Sequence, residues 1–112
     1  SEFENPTVLN RNDASGERGI WAQNDIYSYW KVNFKKGTYD FKFKFKDSIT
    51  SKGTLFTEIN NRVYSKKTEK VVYSTLEMND ISIENSEVDL ISFLKLNNKK
   101  IFPFWIEIYK KN

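Results

Sequence analysis

The sequence predicts an all-β domain, an antiparallel β-sandwich or jelly roll of about eight or nine short strands. Three observations predict this class. Apolar and polar side chains alternate with a period of two along residues 30–46, which places one set on each face of a strand. Aromatic residues make up 16% of the chain and there are only two alanines, a composition that favours strands over helices. Turn-forming residues recur about every 8–12 positions, and no helical period is visible.

The most regular stretch, WKVNFKKGTYDFKFKFK over residues 30–46, is predicted to be a β-hairpin. Its arms, residues 27–34 and 38–46, carry aromatic or aliphatic side chains at alternate positions, with charged or polar groups between them. Gly37 supplies the backbone freedom that a tight connection requires. The apolar face must pack on a second layer, because burying each of these side chains stabilises the fold by roughly 1.5–3 kcal/mol.

The remaining elements follow the same reasoning. Asn60-Asn61 and Asn97-Asn98-Lys99 are predicted turns, because Asn tolerates positive φ. The polar segment 66–70 is predicted to be a solvated turn, and residues 79–83 to pair or bend at a sheet edge. The last strand is expected to close the sandwich near the N-terminus. The predicted strands outside the hairpin are residues 5–9, 19–23, 54–59, 62–65, 71–78, 88–96 and 101–109.

The length fits a single domain, residues 1–112. We expect residues 1–4 to be a disordered lead or a cloning remnant, and the chain to be an excised domain or a processed product. No apolar run approaches the about 20 residues of a membrane span, so no membrane partner is expected. The net charge of +3, from 18 basic and 15 acidic residues, is too balanced to indicate nucleic acid. We interpret Lys42, Lys44 and Lys46 as the solvated face of a strand.

The chain contains no cysteine and no histidine, which removes disulfides, thiol chemistry and the commonest general base and metal ligand. Nucleophilic catalysis needs a base beside a nucleophile, so we expect no catalytic residue in this chain. We also expect no cofactor and no metal of its own.

The loop NRNDASGER, residues 10–18, concentrates two arginines, two asparagines and two carboxylates between apolar strands. The simplest interpretation is a network in which Arg11 or Arg18 pairs with Asp13 or Glu17 and holds the loop. A calcium site is an alternative because these side chains offer oxygen ligands, although their spacing matches no known calcium loop. A ligand-facing loop is the third possibility.

Several aromatic residues allow a carbohydrate-binding interpretation, because sugar rings stack on flat, partly exposed aromatic rings. Core packing is the simpler explanation for Trp21 and Trp30, since large rings are mostly buried. Trp105 shares one face of the last strand with Glu107 and Tyr109, and the opposite face is apolar as well. Because both faces of this strand can pack against apolar surface, we expect another domain to cover the second face. The candidate carbohydrate-binding or interface residues are Trp21, Tyr27, Tyr29, Trp105, Arg11 and Arg18.

Two segments carry a family resemblance. The first is NPTVLNRNDASGERGIWAQNDIYSYWKVNFKKGTYDFKFKF, residues 5–45, and the second is FPFWIE, residues 102–107. Together they resemble the C-terminal ancillary β-sandwich domain of arylsulfatases from Bacteroides-type gut bacteria. The resemblance spans nearly the whole chain.

The resemblance implies a periplasmic or exported parent enzyme that removes sulfate from glycans. In that family the active site, with calcium and formylglycine, lies in a separate catalytic domain, and this sequence contains no C/S-x-P/A-x-R motif. The chain is then expected to be a non-catalytic accessory domain that packs on the catalytic domain of the same polypeptide. The alternative is a carbohydrate-binding module for a sulfated or other polysaccharide. A flat apolar face would favour the first, and a shallow groove with exposed rings the second.

Overall fold

The structure is a computed structural model that describes residues 7–10, 15–16, 28–46, 49, 51–59, 61–69, 74–84, 86–97 and 99–111. Every regular element in these residues is a β-strand, as the period-two pattern predicts. The strands are β1 (Thr7–Asn10), β2 (Ser15–Gly16), β3 (Ser28–Phe34), β4 (Gly37–Lys44), β5 (Gly53–Ile59), β6 (Arg62–Thr68), β7 (Thr75–Ile83), β8 (Ser86–Leu96), β9 (Lys99–Ile101) and β10 (Trp105–Lys110).

The strands form two antiparallel sheets that face each other as a β-sandwich, which confirms the predicted fold class. The smaller sheet has four strands in the order β1-β10-β4-β7. The larger has six, in the order β2-β3-β8-β5-β6, with β9 paired to β8 beside this path. Within the described residues we find no helix with the length and hydropathy of a membrane span.

The core lies between the two inner faces. Alternate residues of β1, β3, β4, β5, β8 and β10 point inward, and the inward set is mostly apolar. The buried polar residues are Thr7, Thr57, Thr68 and Ser92. Two of them form a pair, in which Thr57 Oγ1 lies 3.1 Å from Ser92 Oγ and Ser92 donates to the carbonyl of Phe56. The largest fully buried side chains are Trp30, Tyr39, Phe34, Phe41, Phe43, Phe45, Phe102, Leu55, Leu90, Leu94, Ile106 and Ile108.

Residues 30–46 do not form the predicted hairpin. β3 pairs with β8 in the larger sheet, whereas β4 pairs with β10 and β7 in the smaller one, so Lys35-Lys36 carries the chain between sheets. Phe34 and Tyr39 meet edge-on across the core with ring centroids 5.1 Å apart. The alternation determines which face of each strand is buried. It does not determine whether the two strands pair with each other, because their rings are buried equally when the strands lie in two opposed sheets.

Two other predicted boundaries are corrected. The strand predicted over residues 101–109 is divided, because residues 102–104 cross from β9 in the larger sheet to β10 in the smaller sheet. Pro103 has no N–H to continue a ladder. β10 then pairs with β1, as expected for a strand that closes the sandwich near the N-terminus. Segment 66–70 is not simply a turn, since β6 continues to Thr68.

The β4–β7 ladder contains a β-bulge opposite Asp40. Asp80 adopts a left-handed backbone with φ 59°, and its N–H donates to Asp40 Oδ1 over 3.0 Å. Because the bulge adds one residue to β7, Met78 and Ile81 both face the core although three positions separate them. The predicted edge segment 79–83 is therefore the second half of one bulged strand.

Candidate functional site

The structure describes two of the six predicted site residues. Tyr29 is half-buried in β3 of the larger sheet, and Trp105 is half-buried in β10 of the smaller sheet. The two rings are therefore not part of one surface. Trp21, Tyr27, Arg11 and Arg18 lie outside the described residues, as does most of the loop for which a calcium site was considered.

Trp105 belongs to a row of three side chains along the outer face of β10. Trp105, Glu107 and Tyr109 point away from the core because Ile106 and Ile108 between them are fully buried. Trp105 Nε1 donates to Glu107 Oε2 over 3.0 Å, and the Tyr109 hydroxyl donates to Glu107 Oε1 over 2.8 Å. One carboxylate thus orients both rings, and we call these three residues the Trp105–Tyr109 row.

Two lysines of β4 lie beside this row. Lys44 is directly opposite Trp105 and Lys42 directly opposite Glu107 in the antiparallel ladder. The hydrogen bond from Tyr109 is the main cause that lowers the pKa of Glu107, and burial opposes it as the second-largest effect. The hydrogen bond from Trp105 and the charges of Lys42 and Lys44 lower the pKa further by smaller amounts. The same hydrogen bond raises the pKa of Tyr109. Near neutral pH the row therefore holds a charged carboxylate and a neutral phenol.

An apolar rim borders the row on the β1 side. Val8 is directly opposite Glu107 and is 51% exposed. Phe104, 44% exposed, has its ring centroid 5.6 Å from that of Trp105. The outer face of the smaller sheet therefore combines four apolar or aromatic groups with hydrogen-bonding groups.

The arrangement suits recognition more than reaction. An aromatic ring held by its N–H or O–H offers its face to the C–H groups of a ligand, and the carboxylate and lysines offer an acceptor and donors. Among the described residues there is no group of three Asp or Glu side chains placed to hold a metal ion. A nucleophile paired with a histidine base is impossible in a chain without histidine.

A second candidate is a cavity of about 160 Å³ at the side of the sandwich, between the edge strand β6 and the β7–β8 turn. It contains one half-buried ring, Tyr64, and the charged groups Arg62 and Glu84. Typical ligand pockets measure about 300–1,000 Å³, so this cavity admits only a small group. It is the weaker candidate, because it is small and brings only one aromatic ring to its lining.

A third aromatic group lies on the outer face of the larger sheet. Phe56 and Phe93 are directly opposite in the β5–β8 ladder, and Phe102 packs on Phe93 with centroids 6.2 Å apart. Lys100 Nζ lies 4.9 Å from the centre of the Phe93 ring. Phe102 is only 1% exposed, so this cluster is a second packing centre rather than an open platform.

Sequence analysis placed Trp105, Glu107 and Tyr109 on one face of the last strand but selected only Trp105 as a candidate site residue, and it interpreted Lys42 and Lys44 as a solvated face. The shared parity of Trp105, Glu107 and Tyr109 was the available signal, since residues two apart on a strand occupy one face. The lysines carried no such signal, because their place beside the row depends on the pairing of β4 with β10.

Comparison with known proteins gives one informative likeness. No protein-family model matches the chain, and no curated protein matches it. Among solved structures it is similar to the crystal structure of a ruminal GH26 endo-β-1,4-mannanase, with a TM-score of 0.66 and 10% sequence identity. The likeness covers 100% of this chain and 27% of the mannanase chain, so the chain spans about a quarter of that protein's length. At this identity the likeness shows the β-sandwich fold alone.

Proposed function

We propose that this chain is a non-catalytic accessory domain of a glycan-processing enzyme, and that it binds polysaccharide on the Trp105–Tyr109 row. The observation that carries the proposal is that Glu107 holds an indole and a phenol on one open sheet face. Ring stacking needs rings with a fixed orientation, and a hydrogen bond from each ring to a common carboxylate reduces the entropy lost on binding.

The comparison supports the accessory role without identifying the parent enzyme. The mannanase likeness covers the whole of this chain but 27% of the other, which is the relation expected of one module within a larger enzyme. The sequence resemblance points to an arylsulfatase as the parent enzyme, and the structural likeness to the mannanase points to a glycoside hydrolase. Both are enzymes of glycan degradation, so the accessory role does not depend on the choice between them. The periplasmic or exported location rests on the arylsulfatase resemblance.

The test is polysaccharide binding by the 112-residue chain, read by affinity electrophoresis and by isothermal titration. We expect retention by at least one β-linked polysaccharide and at least a tenfold loss of affinity in Trp105→Ala. A tenfold loss corresponds to about 1.4 kcal/mol, which lies within the about 1–3 kcal/mol that one stacked base contributes in nucleic-acid complexes. Val63→Ala is the control, since Val63 is an exposed apolar residue on the other sheet, at 58%.

Two results would contradict the proposal. A folded native chain that no polysaccharide retains would exclude the binding function. Equal binding by Trp105→Ala and the native chain would place the binding site elsewhere on the molecule.

A second function, packing on a catalytic domain of the same polypeptide, is favoured by the exposure of Val8 and Phe104 beside the row. If the face is an interface, Val8→Asp and Phe104→Asp should lower the melting temperature of the full-length enzyme while leaving that of the isolated chain unchanged. Equal effects on both proteins would contradict the interface.

A further inference from the structure

The charges on the outer face of the smaller sheet compensate one another. Lys42 is directly opposite Glu77 of β7 on one side and Glu107 of β10 on the other. Lys111 lies 2.5 Å from Asp80 Oδ1 and 3.9 Å from Asp40 Oδ1. Within the strands, the described residues of this face carry two lysines, Lys42 and Lys44, and four carboxylates, Asp40, Glu77, Asp80 and Glu107, and Lys46 and Lys111 lie just beyond the ends of β4 and β10.

The carboxylate of Glu107 occupies the middle of the row, between the two rings. An ionised carboxylate has about four lone-pair positions, and Trp105 and Tyr109 use one each. The remaining positions can accept hydrogen bonds from ligand hydroxyl groups. A sulfate or uronate group offers no donor for them when ionised and is repelled by the carboxylate charge.

We propose that the Trp105–Tyr109 row selects uncharged polysaccharides and discriminates against sulfated or uronate-bearing ones. This inference rests on the proposed binding function and specifies its ligand class. Glu107 has two roles in it, since the carboxylate orients both rings and also accepts sugar hydroxyls where an anionic substituent would be repelled. The lysines of β4 do not reverse this preference, because Lys42 is flanked by two glutamates and the charge of Lys44 is partly balanced by that of Glu107.

The test compares polysaccharides of matched backbone, galactomannan with its chemically sulfated derivative and hydroxyethylcellulose with cellulose sulfate. We expect the native chain to bind the uncharged member of at least one pair at least tenfold more tightly, with an affinity that changes less than twofold between low and high salt, since screening acts on charges. Glu107→Gln should raise the affinity for the sulfated polysaccharide and so reduce the difference in affinity between the two polysaccharides of a pair. Glu87→Gln, the same charge change on the exposed outer face of the larger sheet, should leave the difference unchanged.

The outcomes separate this inference from the proposed function. Equal or tighter, salt-sensitive binding of the sulfated member would overturn the inference and leave the binding function standing. Equal discrimination in Glu107→Gln and the native chain would remove Glu107 from the explanation and overturn the inference as well. If none of the four polysaccharides binds to the folded chain, the proposed binding function itself is overturned.

Discussion

Glu107 shows how one side chain can organise a surface on a strand. Successive residues on one face of a strand are about 6.6–6.8 Å apart, close enough for a glutamate to reach the side chains two positions before and after it. Glu107 uses this spacing in both directions, accepting from Trp105 and from Tyr109. Without the carboxylate, each ring would retain its packing but lose the group that orients it.

The pH dependence of this interaction is the prediction at the residue scale. The pKa of Glu107 is lowered in the folded chain, so its contribution to stability is complete above the ordinary glutamate pKa, at about pH 5 and higher, and is lost as pH falls through the lowered value. The stability difference between the native chain and Glu107→Gln should therefore be about 1 kcal/mol near neutral pH and should vanish in acid. Urea unfolding at a series of pH values measures it.

Glu77→Gln is the matched control for this prediction. Glu77 lies on the same face, two strands from β10 and on the other side of Lys42, and makes no hydrogen bond to Trp105 or Tyr109 among the described contacts. A difference of the same size and pH dependence in Glu77→Gln would attribute the effect to the general charge of the face and contradict the specific role of Glu107.

At the scale of elements, the turns are determined by a few residues with left-handed backbones. Ile59 pairs with Arg62 and Leu96 with Lys99, so the β5–β6 and β8–β9 turns each contain two residues. Asn61 has φ 68° and Asn97 has φ 53°. Both positions match the predicted turns, because Asn is the side chain other than Gly that most readily adopts this conformation.

Substitution of Asn61 should follow backbone preference rather than helix or strand propensity. Asn61→Ala is expected to lower the free energy of unfolding by about 1 kcal/mol, since an alanine pays the full cost of a left-handed backbone. Asn61→Gly should leave it nearly unchanged, because the easier conformation offsets the greater entropy of the unfolded chain. Chemical denaturation measures both variants.

The same two substitutions at Ser65 provide the control. Ser65 is exposed in the middle of β6 and is absent from the positions with positive φ. There glycine should be the worse residue, by about 0.5–1 kcal/mol relative to alanine. An identical order of Gly and Ala at both positions would contradict the explanation from backbone conformation.

On the scale of the whole molecule, side chains link the two sheets at both sides of the sandwich. Trp30 of β3 is buried, and its Nε1 donates to the carbonyl of Asn10 in β1 over 2.7 Å. At the opposite side, the exposed Lys66 of β6 donates to the carbonyl of Glu77 in β7 over 2.8 Å. These bonds have similar lengths but different environments.

Burial should determine how much each of these two hydrogen bonds contributes to the free energy of unfolding. Trp30→Phe should destabilise the chain by about 2 kcal/mol or more, because it removes a hydrogen bond and leaves a gap in a packed core. Lys66→Met should change stability by less than about 0.5 kcal/mol, because water replaces an exposed bond. Equal losses in thermal or urea unfolding of the two variants would contradict this account.

Sequence reasoning was most successful where the information is local. It predicted the fold class, the burial of alternate residues in β3 and β4, and the two asparagine turns. It also predicted that both faces of the last strand carry apolar side chains, and the structure shows that Ile106 and Ile108 form the inner face. The candidate site was only partly predicted, because its ring was recognised but its carboxylate and lysines were not.

The sequence alone determined which side chains of β3 and β4 face inward and where the two asparagine turns lie, because the two-residue period of a strand and the φ preference of asparagine act over a few neighbouring residues. Only the tertiary structure decided that β3 and β4 belong to different sheets and that Lys42 and Lys44 stand beside Trp105 and Glu107. The physical reason is that pairing partners are selected by long-range competition among strands with equally good apolar faces, and the alternation within any one strand does not distinguish among them.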